Sequence, residues 1–262
     1  MERCIAGGAG KASYDFSQIN YEKTGVYDII LTYEGYTCKV PVVIAERKTE
    51  GLYTYLTDGN IAELEEMIGD KKIDDEDSDY DYEFTSTTLK IPETLGGAKV
   101  VQGLPNCDFM KGLPNLKKIN VMDENPYWCS IDDALYKKEG DNKLTLYSYP
   151  AQKADQSFTV EENVSSIAHY GLYSKHLENI TFKSPETEIG NGMSAVYIKN
   201  IYLDFYLSDQ YDADMYLNDY YFQREYDLDD SAHFNFNIYI RNEKALACIA
   251  ESLRSMVNVI YY

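Results

Sequence analysis

Several short arrangements in this sequence could do chemistry, and each fails at the position where the chemistry needs a particular atom. Gly7-Gly8-Ala9-Gly10-Lys11 has the glycine and lysine of a phosphate loop. In such a loop the leading glycine lets the backbone wrap a phosphate and a closing hydroxyl holds the metal. Ile5 and Ala12 stand at those two places. Asp75, Asp77, Asp79 and Asp81 alternate like the opening of a calcium loop. Its sixth position must be glycine for the sharp turn and its twelfth a bidentate glutamate; here they are Tyr80 and Ser86. A solvated acidic loop is expected instead.

The histidines are His169, His176 and His233, without the i, i+4 spacing that puts two zinc ligands on one helical face. Gly192-Met193-Ser194 lacks the second glycine of a nucleophile elbow. With 44 acidic residues, some carboxylates must lie near one another by chance, so no pair can be singled out as acid and base. Cys4, Cys38, Cys107, Cys129 and Cys248 form no C-x-x-C pair. They read as small hydrophobes, with one bridge such as Cys107 to Cys129 as the alternative. Asn163-Val-Ser165 and Asn179-Ile-Thr181 fit glycosylation sequons by chance composition. No catalytic residue, metal ligand or cofactor is expected, and the chain is not expected to be an enzyme.

Contact chemistry remains, and it is carried by tyrosine. The chain has 26 tyrosines against nine phenylalanines and one tryptophan. Tyrosine gives a large, rigid, amphipathic surface at low entropic cost. The densest cluster is Tyr202, Tyr206, Tyr211, Tyr216, Tyr220, Tyr221 and Tyr226. Tyr216, Tyr220, Tyr221 and Tyr226 are expected to contact a ligand; the alternative is that such tyrosines pack the fold and keep their hydroxyls wet. The formal charge of −20, from 24 basic and 44 acidic residues, argues against nucleic acid, because phosphate contacts need Lys and Arg. Anionic membrane surfaces are disfavoured by the same sign. No apolar run reaches the roughly 18 residues of a membrane span, so no membrane insertion is expected.

These residues must be positioned by elements that the chain pattern suggests. Apolar alternation in Val26–Tyr33 and Cys38–Ile44, joined at Glu34–Gly35, predicts a hairpin entered from an earlier strand. Two or three strands cannot bury both faces alone, so something must complete this sheet. Asp58 is expected to cap a short helix with Ile61, Leu64, Met67 and Ile68 on one face and Gly69 at its end, with a hairpin as the alternative. Further on, one apolar frame recurs: Leu116/Ile119/Val121, Leu177/Ile180/Phe182 and Ile198/Ile201/Leu203. The last two are 21 residues apart, a leucine-rich repeat period. The longer first offset is explained by an insert, Pro126 to Gln156, in which Ala134–Tyr136 and Leu144–Tyr147 flank Gly140-Asp141-Asn142 as a hairpin. Ile238 and Ile240 predict a strand, followed by a helix burying Leu246, Ile249, Ala250, Leu253 and Val257, with Asn242 as its cap.

These motifs carry a resemblance. The run LKIPETLGGAKVVQGL is similar to the opening unit of BspA-like leucine-rich repeat proteins, with Ile91–Pro92 before the Gly96–Gly97 turn. The match is closer in Asp133–Tyr136, Leu144/Leu146, Tyr149-Pro150-Ala151 with Lys153, Val164/Ile167 and Leu177/Ile180/Phe182. Departures are Glu161 for a common proline, Gly171–Leu172 for the usual Ala–Phe, and Lys175–His176. Residues 14–48 resemble the closing half of a bacterial Ig-like domain.

The resemblance implies a mainly β fold with short helices. The expected architecture is a leucine-rich repeat solenoid with an inserted β-hairpin and a C-terminal capping strand-helix. Residues 1–48 would form a partial Ig-like β segment and 49–262 the repeat domain. It also implies a cell-surface or secreted, non-catalytic adhesion protein that binds a protein partner, with a glycan-binding module or a spacer as alternatives. The start, MERCIAGGAGKASYDF, has no apolar signal core, and a half-domain there leads to the expectation that the chain is a piece of a longer one.

Overall fold

The computed structural model describes residues 12–67, 71–72, 82–102, 115–169, 171–189, 193, 198–207, 216–217 and 236–262. The chain divides into two compact units, Met1–Glu66 with Thr94–Gly103, and Met67–Glu93 with Leu104–Tyr262. The expected mainly β architecture is present, with two short helices among the described residues.

In the first unit, β1 (Ala12–Asp15), β2 (Gly25–Tyr33) and β3 (Tyr36–Ile44) form an antiparallel sheet. Glu34 and Gly35 turn it with φ of 48° and 84°, the double left-handed turn that matches strand twist. Ile29 is buried in this sheet, and Tyr27, Leu31, Val40 and Val42 are half-buried. A second sheet has the order β10-β11-β6-β5-β4. Its strands are β4 (Glu46–Glu50), β5 (Tyr53–Thr57), β6 (Ile61–Met67), β10 (Thr94–Leu95) and β11 (Ala98–Gln102).

Here the helix expected after Asp58 is corrected: β6 is a strand. Asp58 Oδ1 does accept from the Asn60 and Ile61 amides, at 2.8 and 3.0 Å, as a cap would. It closes an Asx turn instead, with Thr57 Oγ1 donating to the Ile61 carbonyl at 2.6 Å. Ala62 and Leu64 then point inward while Ile61 stays exposed, a period of two. β6 lies between β5 and β11, so its backbone is paired on both sides: with β5, its neighbour along the chain as the hairpin alternative expected, and in parallel with β11. Gly96, in the β10–β11 turn, has φ +57°, and a Cβ there would stand 2.5 Å from Tyr55 Oη.

The second unit is built from parallel ladders. After the short pair β7 (Lys71–Lys72) and β8 (Tyr82–Glu83), β9 (Thr88–Ile91) pairs with β12 (Lys118–Val121). One sheet then runs β13 (Trp128–Ile131), β14 (Ala134–Gly140), β15 (Lys143–Ser148), β17 (Val164–Ile167) and β19 (Glu188–Ile189). The other runs β16 (Ser157–Val160), β18 (Asn179–Phe182), β20 (Asn200–Leu203), β21 (Asn237–Ile240) and β22 (Asn258–Tyr261). The expected hairpin is β14–β15, turning at Asp141 and Asn142 with φ of 46° and 59°.

The repeat frame is the core. Ile180, Ile201 and Ile238 form one fully buried column, and Phe182, Leu203 and Ile240 another. Each such side chain contributes roughly 1.5–3 kcal/mol by leaving water. Stacking is required because a single coil leaves both its apolar faces open to solvent. Gly171 shows why the Ala–Phe pair is absent: a Cβ there would lie 2.8 Å from the Leu146 carbonyl oxygen and 2.9 Å from that of Ala168.

The chain end differs in detail from the expected single helix. Asn242 is the cap, its Oδ1 accepting from Ala245 N at 3.3 Å. It opens a 3-10 helix, Glu243–Cys248, and a separate single turn follows, α1 (Glu251–Arg254). Between them Ile249 bridges in parallel to Leu217. β22 then adds one more rung beside β21. Leu253 and Ala250 are buried as expected, while Val257 is half-buried. Cys129 carries a free thiol, as do Cys38 and Cys248, so Cys129 forms no bridge to Cys107, which lies outside the described residues. Burial pushes the Cys248 thiol up to about 11.

Candidate functional site

Parallel, in-register strands stack equivalent side chains into columns, and the outward face of β16-β18-β20-β21-β22 carries three. The first column is asparagine. Asn200 Nδ2 donates to Asn179 Oδ1 at 2.8 Å, Asn237 Nδ2 to Asn200 Oδ1 at 3.0 Å, and Asn258 Nδ2 to Asn237 Oδ1 at 3.1 Å. At the far end Asn179 Nδ2 reaches the Gln156 carbonyl and Ser157 Oγ, both at 3.3 Å. The side chains thus repeat the hydrogen-bond pattern of the backbone beneath them.

The second column is Thr159, Thr181, Tyr202, Tyr239 and Ile260. Tyr202 and Tyr239 stack with ring centroids 4.6 Å apart and planes 12° from parallel. Tyr262 closes on both rings edge-on, at 6.0 Å to each. Aromatic pairs in these two geometries add about 0.5–1.5 kcal/mol beyond their burial.

The third column is ionic. Asp204 binds Lys183 through Oδ2 and Arg241 through Oδ1, the Arg241 Nε bond measuring 2.7 Å. Tyr262 Oη donates to the same Oδ1 at 3.2 Å. The hydrogen bonds from Lys183 and Arg241 hold the Asp204 carboxyl down at about 2. Arg241 also lies over the Tyr262 ring, 4.4 Å from its centroid, a cation–π contact. Burial chiefly, with the Asp204 charge second, raises the Tyr262 phenol. The result is a pre-ordered patch in which Tyr262 joins the aromatic column to the ionic one.

Of the four tyrosines expected to contact a ligand, Tyr216 is exposed, beside Leu217, whose amide donates to the Cys248 carbonyl at 2.7 Å. Tyr220, Tyr221 and Tyr226 lie outside the described residues, as do the Gly7–Lys11 run, the Asp75–Asp81 alternation, His233 and Ser194. The strand face assembles a different set: Tyr202, from the same sequence cluster, with Tyr239, Tyr262, Arg241 and Asp204. Sequence reasoning passed over the last four. A signal was present: each of Asn200-Ile-Tyr-Leu-Asp204, Asn237-Ile-Tyr-Ile-Arg241 and Asn258-Val-Ile-Tyr-Tyr262 opens with the same asparagine in the same frame. Among the described residues no group of three or more His, Cys, Asp or Glu is placed to hold a metal ion. No helix among them is long and apolar enough to cross a membrane.

No family model matches the chain and no curated protein matches it. Among solved structures it is similar to a leucine-rich repeat protein from Eubacterium ventriosum, with 27% identity, a TM-score of 0.35, and coverage of 46% of this chain and 31% of that one. It is also similar to a leucine-rich cell surface protein from Faecalibacterium prausnitzii, at 18% identity and TM-score 0.38, covering 69% of this chain and 49% of that one. A third is the pneumococcal vaccine antigen PcpA, at 13% identity and TM-score 0.27, covering 70% and 56%. The chain therefore matches from about a third to just over half of the length of these proteins. Its repeat architecture rests on the strand register described above.

Proposed function

We propose that the chain is a non-catalytic interaction module of a bacterial surface or secreted protein, and that its repeat ladder binds a protein partner. The observation that carries this reading is the patch of Tyr202, Tyr239, Tyr262 and Arg241. Rigid aromatic and arginine side chains already held in place lose little entropy on binding and dominate protein interfaces. Saturation of the polar groups favours a protein over a sugar. The Asn179–Asn258 amides bond to one another and Asp204 already has three donor groups, so these amides and this carboxylate are already engaged within the face. The Ig-like reading of residues 1–48 and the repeat domain at 49–262 belong to this proposal, as does contact through Tyr216, Tyr220, Tyr221 and Tyr226. β4 runs across that boundary.

Host-matrix and cell-surface protein arrays, run beside glycan arrays, test the reading. A saturable protein ligand is expected, losing tenfold or more affinity with Tyr239→Ala or Arg241→Ala. Ligands confined to the glycan array would establish the sugar-binding alternative. Unchanged affinity in both variants and in Tyr216→Ala would remove the patch. Turnover by the purified chain would remove the non-catalytic assignment.

A further inference from the structure

The outward ladder is interrupted between β12 and β16, and among the described residues the interruption leaves a strand edge open. β12 is met by the tip of the inserted β13–β14 hairpin. Ile119 N donates to the Asp133 carbonyl at 2.9 Å, Lys118 pairs with the Asp133 carboxylate at 3.0 Å, and Val121 N donates to Ser130 Oγ at 3.3 Å. Among the described residues β16 pairs with β18 alone. The Gln156 and Val160 carbonyls accept from Asn179 N and Lys183 N, at 2.9 and 3.0 Å. Because backbone groups alternate in direction along a strand, Ser157 and Thr159 turn both N–H and C=O away from β18.

A groove of about 720 Å³ lies on this side, with Ser157, Phe158 and Thr159 on its wall. Asp132 and Asp133 of the hairpin tip also line it, with Tyr136 of β14 and with Glu161, which follows the last residue of β16. Asp132 and Asp133 hold left-handed φ of 47° and 64°, which fixes the hairpin tip. The lining holds four carboxylates, Asp132, Asp133, Asp155 and Glu161, against two lysines, Lys117 and Lys153, of which Lys153 is paired with Asp155. Asp132 and Glu161 have no ion-pair partner among the described residues. Tyr136 is buried, and burial followed by the Asp132, Cys129 and Glu161 charges raises its phenol. The neighbouring Tyr149 is 2% exposed, and its hydroxyl has no hydrogen-bond partner among the described residues. Its phenol is raised by burial and then by Asp155, Tyr136, Asp132 and Asp133, all of which line the groove.

We propose that this groove binds a short extended segment of a partner protein carrying lysine or arginine. The segment adds as a strand to the Ser157–Thr159 edge and places its basic side chains by Asp132 and Glu161. Backbone pairing to an open edge supplies affinity in such strand addition, and side chains supply selectivity. The excess of carboxylates over lysines in the lining sets the sign. With four residues in β16, a segment of about four residues spans the edge. This site is separate from the Tyr202–Tyr262 patch, and the two can fail independently.

The test is fluorescence anisotropy with a labelled, end-capped (Lys-Val)3 peptide on the full chain. The expected result is saturable binding. It should be lost at least tenfold when alternate amides are N-methylated in one phase and retained when they are methylated in the other, since only one phase faces the edge. Asp132→Asn with Glu161→Gln is expected to weaken binding about tenfold and to flatten its salt dependence, while Tyr239→Ala leaves it unchanged. Thr159→Pro, which removes one edge-facing N–H, is expected to abolish it; if that variant does not fold, the methylated peptides on the unaltered chain decide. Equal affinity for both methylation phases would overturn the proposal, because adsorption to a chain of charge −20 ignores backbone direction. Equal binding of (Glu-Val)3 would overturn it too, as would self-association that displaces the peptide, which would make a second copy the occupant.

Discussion

Asp204 is the residue on which the strand-face patch turns, because one carboxylate accepts from Lys183, Arg241 and Tyr262. Its folded pKa of about 2 lies below the ordinary 3.8. A depressed carboxylate stabilises the fold fully above its unfolded pKa and loses that contribution as pH falls through the folded one. The window is therefore about pH 4 down to 2. Asp204→Asn is expected to lower stability by about 1–2 kcal/mol at neutral pH, the modest figure reflecting cations about one third exposed and screened by solvent. In urea titrations at several pH values the gap between parent and variant should narrow between pH 4 and 2. A gap that stayed constant down to pH 2 would mean that charge was not its cause.

At the scale of elements, register does what composition cannot. The rungs β18, β20, β21 and β22 are separated by 21, 37 and 21 residues, so the Tyr/Asp-rich stretch adds length between two rungs that still pair directly. Asn237 sits in the middle of the amide ladder, and Asn237→Ala removes its two amide hydrogen bonds. A loss of about 1–2 kcal/mol is expected, read as a lower denaturation midpoint with faster hydrogen exchange in β21 and β22. Gly171→Ala should cost about 1–3 kcal/mol by overpacking against the Leu146 backbone, although alanine is the residue that the repeat pattern would favour there. A stabilised Gly171→Ala variant would show that the backbone approach is not tight.

For the molecule as a whole, a charge of −20 makes self-repulsion a general destabilising influence. Raising salt from about 10 to 200 mM shortens the screening length from roughly 30 Å to under 10 Å. The melting temperature is expected to rise across that range in thermal scans; a fall would mean that specific ion pairs outweigh the general repulsion. Against this background two sets of ion pairs, Lys183–Asp204–Arg241 and Lys199–Glu178, tie neighbouring rungs of the ladder together.

The sequence by itself determined the repeat. A frame of Leu-x-x-Ile-x-φ puts its apolar residues in the core because every second strand residue faces inward, and Leu177, Ile180, Phe182, Ile201 and Leu203 are fully buried. The β2–β3 and β14–β15 hairpins were equally legible, since their turns contain the residues that tolerate left-handed φ. Only the tertiary structure decided the rest. Ile61 to Met67 had helical spacing, yet it is a strand held between β5, just before it in the chain, and β11, nearly forty residues further on. Leu246 to Leu253 had helical spacing too, and the parallel bridge from Leu217 to Ile249 divided it. Tyr202 belongs to a tyrosine-dense stretch, but Tyr239 and Tyr262 lie far from it along the chain, and the three become one patch only when their strands stack in register. In each case at least one partner is remote in sequence, and local spacing holds no information about where a distant strand will lie.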